Sequence, residues 1–263
     1  MRVPSDIKKS VVFIGLQMAD TTMRIVGTGI LIYDDISAKK LPYIVTAKHV
    51  LEGIHGKGLD QVYIRVNLND GTSKWYVTDF SDWKLNSDKN VDIGIYQAAG
   101  ETSWDHVSYQ LSTSLSDALI TENEIDVGDE VFVIGLFTHH HGQRRNIPIA
   151  RIGNISAMNE EKIQTSQHLM DAYLIEARSI GGLSGSPVFI NLGEVRYVQG
   201  SLKHSIGGRA FILMGLIYGH YDVKSTNIDE VEGDAKGEPK SENVNTGIAI
   251  VTPVEKIIET IRQ

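Results

Sequence analysis

The chain has 263 residues, 41% apolar and 22% charged, with a formal net charge of −8 and no cysteine. Such a composition belongs to a soluble globular protein of one large domain or two small ones, long enough to bury a core without metal or disulfide staples. It excludes disulfides, thiolate chemistry and thiolate metal sites, and the acidic balance argues against non-specific nucleic-acid binding. The N-terminal stretch MRVPSDIKKSVVFIGLQM has too short an apolar run for a signal peptide and no small-residue cleavage site after it. No window approaches the roughly 18 apolar residues of a membrane span. The expectation is a cytoplasmic protein with no membrane partner.

Short β-type runs follow in order: SVVFIGLQM, GTGILIYDD, PYIVTAKHV, QVYIRVNL, SKWYVTDF, DIGIYQA, EVFVIGLF, ARIGNISAM, AYLIEA, SPVFI, EVRYVQGSL, AFILMGLIYGH and TGIAIVT. They are rich in Val, Ile, Tyr and Phe, and Gly, Asn, Asp or Pro bounds most of them. So many short strands predict an all-β protein of antiparallel sandwiches or barrels. The segment from Tyr221 to Asn245 is acidic and almost free of large apolar groups, which predicts a mobile surface loop. Helical patterning is scarce except at the end, TPVEKIIETIRQ. There Thr252 is the expected N-cap, Pro253 opens the helix, and Val254, Ile257, Ile258 and Ile261 form one apolar stripe.

The stretch GGLSGSPVF, residues 181–189, raises a chemical question. Gly182 and Gly185 flank Leu183-Ser184 and allow sharp turns on both sides of Ser184. Without a Cβ, Gly182 also lets its N–H approach a substrate carbonyl closely. The N–H groups of Gly182 and Ser184 together would make a two-donor oxyanion hole. A nucleophilic serine also needs a base and a group to orient that base. Among nine histidines, His49 stands at the tight exit Thr46-Ala47-Lys48-His49 of the apolar strand Tyr43-Ile44-Val45, held by a rigid element. Asp92, in KNVDIGIYQ, sits in a β-patterned run with Val91, Ile93 and Ile95, where an unpaired carboxylate is costly. Pairing with an imidazole meets that cost. The competitor Asp88, in NSDKN, reads as a solvated turn.

The order His, Asp, Ser carries a resemblance to the chymotrypsin/trypsin-like serine peptidases. TAKHV resembles the family's Thr-Ala-x-His element, DIGI its Asp-hydrophobic-small-hydrophobic element, and GLSGSP its Gly-x-Ser-Gly-Gly-Pro element. GTGILI, RIGNIS, MGLIYG and NTGIAIVTP extend the likeness along most of the chain. The lack of cysteine and the C-terminal TGIAIVTPVEKIIETI look most like the bacterial branch related to the high-temperature-requirement peptidases, without room for that group's peptide-binding domain. The resemblance implies two six-stranded antiparallel β-barrels, about 1–110 and 111–250, with a C-terminal helix over 251–263. It implies a serine endopeptidase acting on protein or peptide substrates, with no cofactor and no metal. His49, Asp92 and Ser184 would be catalytic, and the Gly182 and Ser184 amides would bind the oxyanion.

Two positions depart from the family pattern. Leu183 stands where the digestive enzymes carry the Asp that pairs with a newly cut N-terminal amine, so the oxyanion loop is ordered either by packing or by another switch. Ser186 replaces the second glycine and is in principle a rival nucleophile. Arg178 at the base of the specificity pocket would favour acidic residues at the cleavage site. The other reading is a solvent-facing Arg178 and an apolar pocket made by Ile180 and Ile217; in either case Ile217-Tyr218-Gly219 and Gly247-Ile248-Ala249 are the expected walls. His139, His140 and His141, with Arg144 and Arg145, form a basic patch in an acidic protein. They read as a flexible polar loop rather than a metal site, able to meet an acidic partner. Trp75, Trp83 and Trp104 read as core or rim packing. The rival function is a peptide-binding module that does not cut, or an enzyme latent until a protein partner orders the loop around Leu183.

Overall fold

The computed structural model describes residues 2–165, 169–177, 182–204, 210–225 and 242–263. The first half contains α1 (Ser5–Lys9), β1 (Val11–Gln17), β2 (Met23–Tyr33), β3 (Pro42–Thr46), α2 (Lys48–His55), β4 (Gln61–Asn67), β5 (Ser73–Asp79), β6 (Lys84–Leu85), β7 (Gly94–Gln97) and β8 (Tyr109–Gln110). Then come α3 (Asp117–Asn123), β9 (Glu130–Gly135), β10 (Ile149–Ala157), β11 (Ile163–Gln164), β12 (Leu169–Met170) and β13 (Tyr173–Glu176). The chain ends with β14 (Pro187–Asn191), β15 (Val195–Val198), β16 (Ser201–His204), β17 (Phe211–Ser225), β18 (Glu242–Pro253) and α4 (Val254–Arg262).

The later strands close into a six-stranded barrel, β10-β13-β18-β17-β14-β9, and the earlier ones form a sheet in the order β5-β4-β1-β2-β3-β7-β6, with β8 added parallel to β2. The run VVFIGL explains how the halves join. Val11 and Phe13 face the large core shared with the second barrel, while Val12, Ile14 and Leu16 face the core of the first sheet. A strand buried on both faces has no polar side to alternate with, hence its continuous apolar reading. In β2, Ile30 and Ile32 likewise face one core and Leu31 the other. Inside the closed barrel Phe132 stacks on Phe189 at 5.3 Å between ring centroids.

Several local expectations are corrected. Helices α1, α2 and α3 are short enough that periodicity barely registers, although Val50, Leu51 and Ile54 do form the buried side of α2. Thr252 is not a cap. It pairs with Leu216 in the β17–β18 ladder, its hydroxyl is buried without a partner, and Pro253 is the N-cap of α4. The Tyr221–Asn245 segment is not all loop. Its ends prolong β17 and β18, with Asp222 opposite Asn245 and Ser225 opposite Glu242, because a backbone ladder needs no apolar side chains. Residues 226–241 lie outside the described residues. The apolar stripe of α4 holds: Val254 and Ile257 are buried, with Ile258 and Ile261 packed beside them. No helix among the described residues is long and apolar enough to cross a membrane.

Candidate active site

Strands β3 and β7 pair antiparallel with Thr46 opposite Gly94, so the exit from β3 and the approach to β7 lie at the same end of the sheet. That register brings His49 and Asp92 together. Asp92 precedes β7 by two residues instead of lying within the strand, and it is 5% exposed. One carboxylate oxygen, Oδ1, accepts the His49 backbone N–H at 2.8 Å; the other, Oδ2, accepts Nδ1–H of the same ring at 2.7 Å. The first bond satisfies a free donor in the first turn of α2, at the positive end of its peptide dipoles. The second fixes the tautomer and leaves Nε2 with its lone pair. Burial opposes charging of His49, but the Asp92 hydrogen bond and charge, with a smaller contribution from Glu52, outweigh it. The net result is an imidazole pKa above its ordinary value. Asp88 is exposed and accepts the Asn90 N–H, as an Asx turn does.

The serine turn is built on backbone that only glycine adopts without strain. Gly182 and Gly185 have φ of +97° and +79°. At Gly182 a Cβ would lie 2.9 Å from Leu136 Cδ2, and at Gly185 it would lie 2.2 Å from the Thr28 carbonyl oxygen. The Gly185 N–H donates to Ile217 O, the Ile217 N–H to Ser186 O, and the Ser186 N–H to Leu183 O, each at 2.8 Å. Leu183 is 1% exposed and belongs to the shared core. Ser186 is fully buried, and its unpartnered Oγ lies where a Cβ on Gly135 would sit.

Ser184 and His49 meet at Tyr218. Ser184 Oγ donates to the Tyr218 carbonyl oxygen over a long 3.4 Å, and the Tyr218 ring stands edge-on to the His49 ring at 5.6 Å. Ser184 does not hydrogen-bond His49 in this conformation. Such contacts commonly tighten only when substrate is bound. Of the expected pocket residues, Arg178 and Ile180 lie outside the described residues. Ile217 is buried in the core, so what it offers the site is backbone. Gly219 and Gly247 have open space where a Cβ would be.

Two features escaped the sequence reading. Thr28, quoted only as part of GTGILI, contacts the serine turn through both its backbone and its hydroxyl. The His139–His141 loop is polar as expected, but it is clamped at its base. Arg65 donates to the carbonyls of Gly142 and Gln143 at 2.7 and 2.6 Å, and Asn67 exchanges bonds with Asn146. Trp83 and Trp104 are buried in the first sheet's core, and Trp75 fills the space beside Gly15. A cavity of about 470 Å³ between α3 and α4, with Asp117, Asp171 and Glu255 in its walls, shares no residue with the serine turn.

A six-stranded barrel sharing its core with a second antiparallel sheet, and followed by a C-terminal helix, is the architecture of the trypsin-like double-barrel class. Within that class the trypsin-like peptidase domain family matches residues 27–196, more than half of the chain, and the chain belongs to that family. A search of curated proteins finds no match. Among solved structures, the apo MamO protease domain from Magnetospirillum magneticum is similar at 12% identity over 97% of this chain and 96% of that one, with a TM-score of 0.51. Thermobifida fusca Protease A is 12% identical over 97% and 94%, with a TM-score of 0.40. The NS6 protease of murine norovirus 1 is 12% identical over 96% and 93%, with a TM-score of 0.43. At such identity the likeness is one of fold.

Proposed function

We propose that the protein is a serine endopeptidase in which Ser184 attacks, His49 transfers protons and Asp92 orients His49. The observation that carries this reading is the pair of hydrogen bonds between Asp92 and His49, which leaves Nε2 as the basic atom of a ring standing against Tyr218, the residue whose carbonyl Ser184 Oγ contacts. The 3.4 Å contact to Tyr218 O is weak, so Ser184 Oγ loses little by rotating toward Nε2. Oγ then bonds to the carbonyl carbon while its proton passes to Nε2. The oxyanion accepts from the Gly182 and Ser184 amides, each donor worth roughly 3 kcal/mol. Collapse breaks the C–N bond, and the Nε2 proton leaves with the amine. Water then bonds to the acyl carbon and gives a proton to Nε2; the C–Oγ bond breaks, Nε2 returns the proton to Ser184 Oγ, and the carboxylic acid leaves.

The acyl side of the substrate is taken to lie along Tyr218 and Gly219, where the open space at Gly219 leaves room for a side chain. Gly219→Val therefore raises KM for long peptides and leaves reaction with a small acylating ester unchanged; equal loss with both would remove Gly219 from the substrate path. The reading itself is tested by mass-spectrometric detection of cuts in a proteome-derived peptide library. Wild type cuts, and Ser184→Ala and His49→Ala do not, each losing roughly 10⁶-fold. Cleavage that survives both substitutions would end it.

A further inference from the structure

Glycine makes the Ser184 turn possible but does not hold it in place. At φ +97°, Gly182 has freedom that an oxyanion donor must not have. Leu183 has no charge with which to tie the turn to an N-terminal amine. The Gly182–Leu183 peptide lies between the two donor N–H groups, those of Gly182 and Ser184, and something else must fix its plane so that both point the same way. Resting on the serine-peptidase reading above, we propose that Thr28 is that positioning residue, its hydroxyl locking the oxyanion turn of one barrel onto the sheet of the other.

Thr28 is fully buried on β2 and uses every polar atom it has. Its N–H donates to the carbonyl of Ser184 at 3.0 Å, and its own carbonyl accepts from Thr46 Oγ1 at 2.6 Å. Its hydroxyl donates to the carbonyl of Gly182 at 3.2 Å and accepts the Leu136 N–H at 3.0 Å. One residue of the first sheet therefore holds the carbonyl of the nucleophile, the carbonyl of the oxyanion glycine, and the start of the loop against which Gly182 packs. Thr46 ties the same residue to the strand that leads to His49. The fit leaves no slack. Cβ atoms on Gly135 and Gly185 would come within 3.1 Å of Thr28 Oγ1 and 2.2 Å of Thr28 O. The turn is thus held by a neutral hydrogen bond built into the fold, with no need of a new terminal charge.

The test separates hydroxyl from backbone. Thr28→Val keeps shape and amide but removes the hydroxyl; Thr28→Ser restores it. Inactivation by a fluorophosphonate, followed to saturation well below each variant's melting temperature, yields a maximal rate and a half-saturation concentration. Thr28→Val lowers the maximal rate by roughly 100-fold at unchanged half-saturation, the cost of a small misplacement. Thr28→Ser stays within about threefold of wild type, because both hydroxyl bonds re-form. The pH dependence set by His49 is the same in all three proteins. A merely structural role would lower the labelled fraction and leave the rate of the folded molecules unchanged. That result, or Thr28→Ser as slow as Thr28→Val, overturns the inference while the peptidase reading stands; a wild type that never reacts overturns both.

Discussion

At the scale of single residues, the roles proposed for His49 and Asp92 predict a definite pH behaviour. The His49 pKa is raised, so its contribution to stability is complete below the unfolded value of about 6.5 and is lost as pH rises through the folded value. In the proposed mechanism catalysis needs the neutral ring, so activity is expected over the range in which that contribution is given up. The acid limb of kcat/KM therefore lies above the ordinary histidine range. Asp92→Asn moves the limb downward, because burial remains while the carboxylate is gone. It also costs roughly 10⁴-fold in turnover through the wrong tautomer, and an unshifted limb with wild-type turnover would separate Asp92 from the site. Ser186 gives a contrasting expectation. Its Oγ is buried without a partner, so Ser186→Ala keeps full labelling and changes stability by no more than about 1 kcal/mol. A loss of labelling would make Ser186 the rival nucleophile after all.

At the scale of elements, α4 reaches across to the turn that precedes Asp92. Asn86 Nδ2 donates to Thr260 Oγ1 at 2.7 Å, Gln263 donates to Asn86 Oδ1, and Lys48, beside His49, donates to the Asn86 carbonyl at 3.2 Å. Thr260→Val strands a buried amide and costs about 1–3 kcal/mol in denaturant unfolding; no change in midpoint would mean that α4 docks by apolar contact alone. Burial pushes the Glu255 carboxyl up; its own backbone N–H and Lys256 pull the other way, and the nearby charges of Asp117 and Glu259 add to the rise. Its folded pKa lies above the unfolded one, so stability falls as pH rises from the unfolded value of about 4.3 through the folded one. Glu255→Gln thus raises the melting temperature at pH 8, and the gain disappears below about pH 4. A gain equal at both pH values would assign the effect to packing.

At the scale of the whole molecule, the all-β architecture was legible because β-branched and aromatic runs between turn residues leave few other folds. The parts of the candidate site carry local signals: glycines at 182 and 185 that the backbone requires, and a carboxylate where apolar neighbours make an unpaired one costly. What stayed hidden was non-local. Thr28 and Gly182 are 154 positions apart, and nothing in GTGILI names its partner. The ladder at Asp222–Ser225 is held by backbone alone and leaves no apolar signature. The core position of Leu183 bears on activation: a turn ordered by packing needs no new N-terminus. Removing the residues before Val11 therefore lowers stability without raising specific activity, and a many-fold rise would point to a processing switch. The most direct measurement is fluorophosphonate labelling with the adduct located by peptide mapping. Activation of Ser184 by His49 predicts one adduct, on Ser184, absent from Ser184→Ala and His49→Ala. Labelling that persists in both variants, or that maps to Ser186, would contradict it.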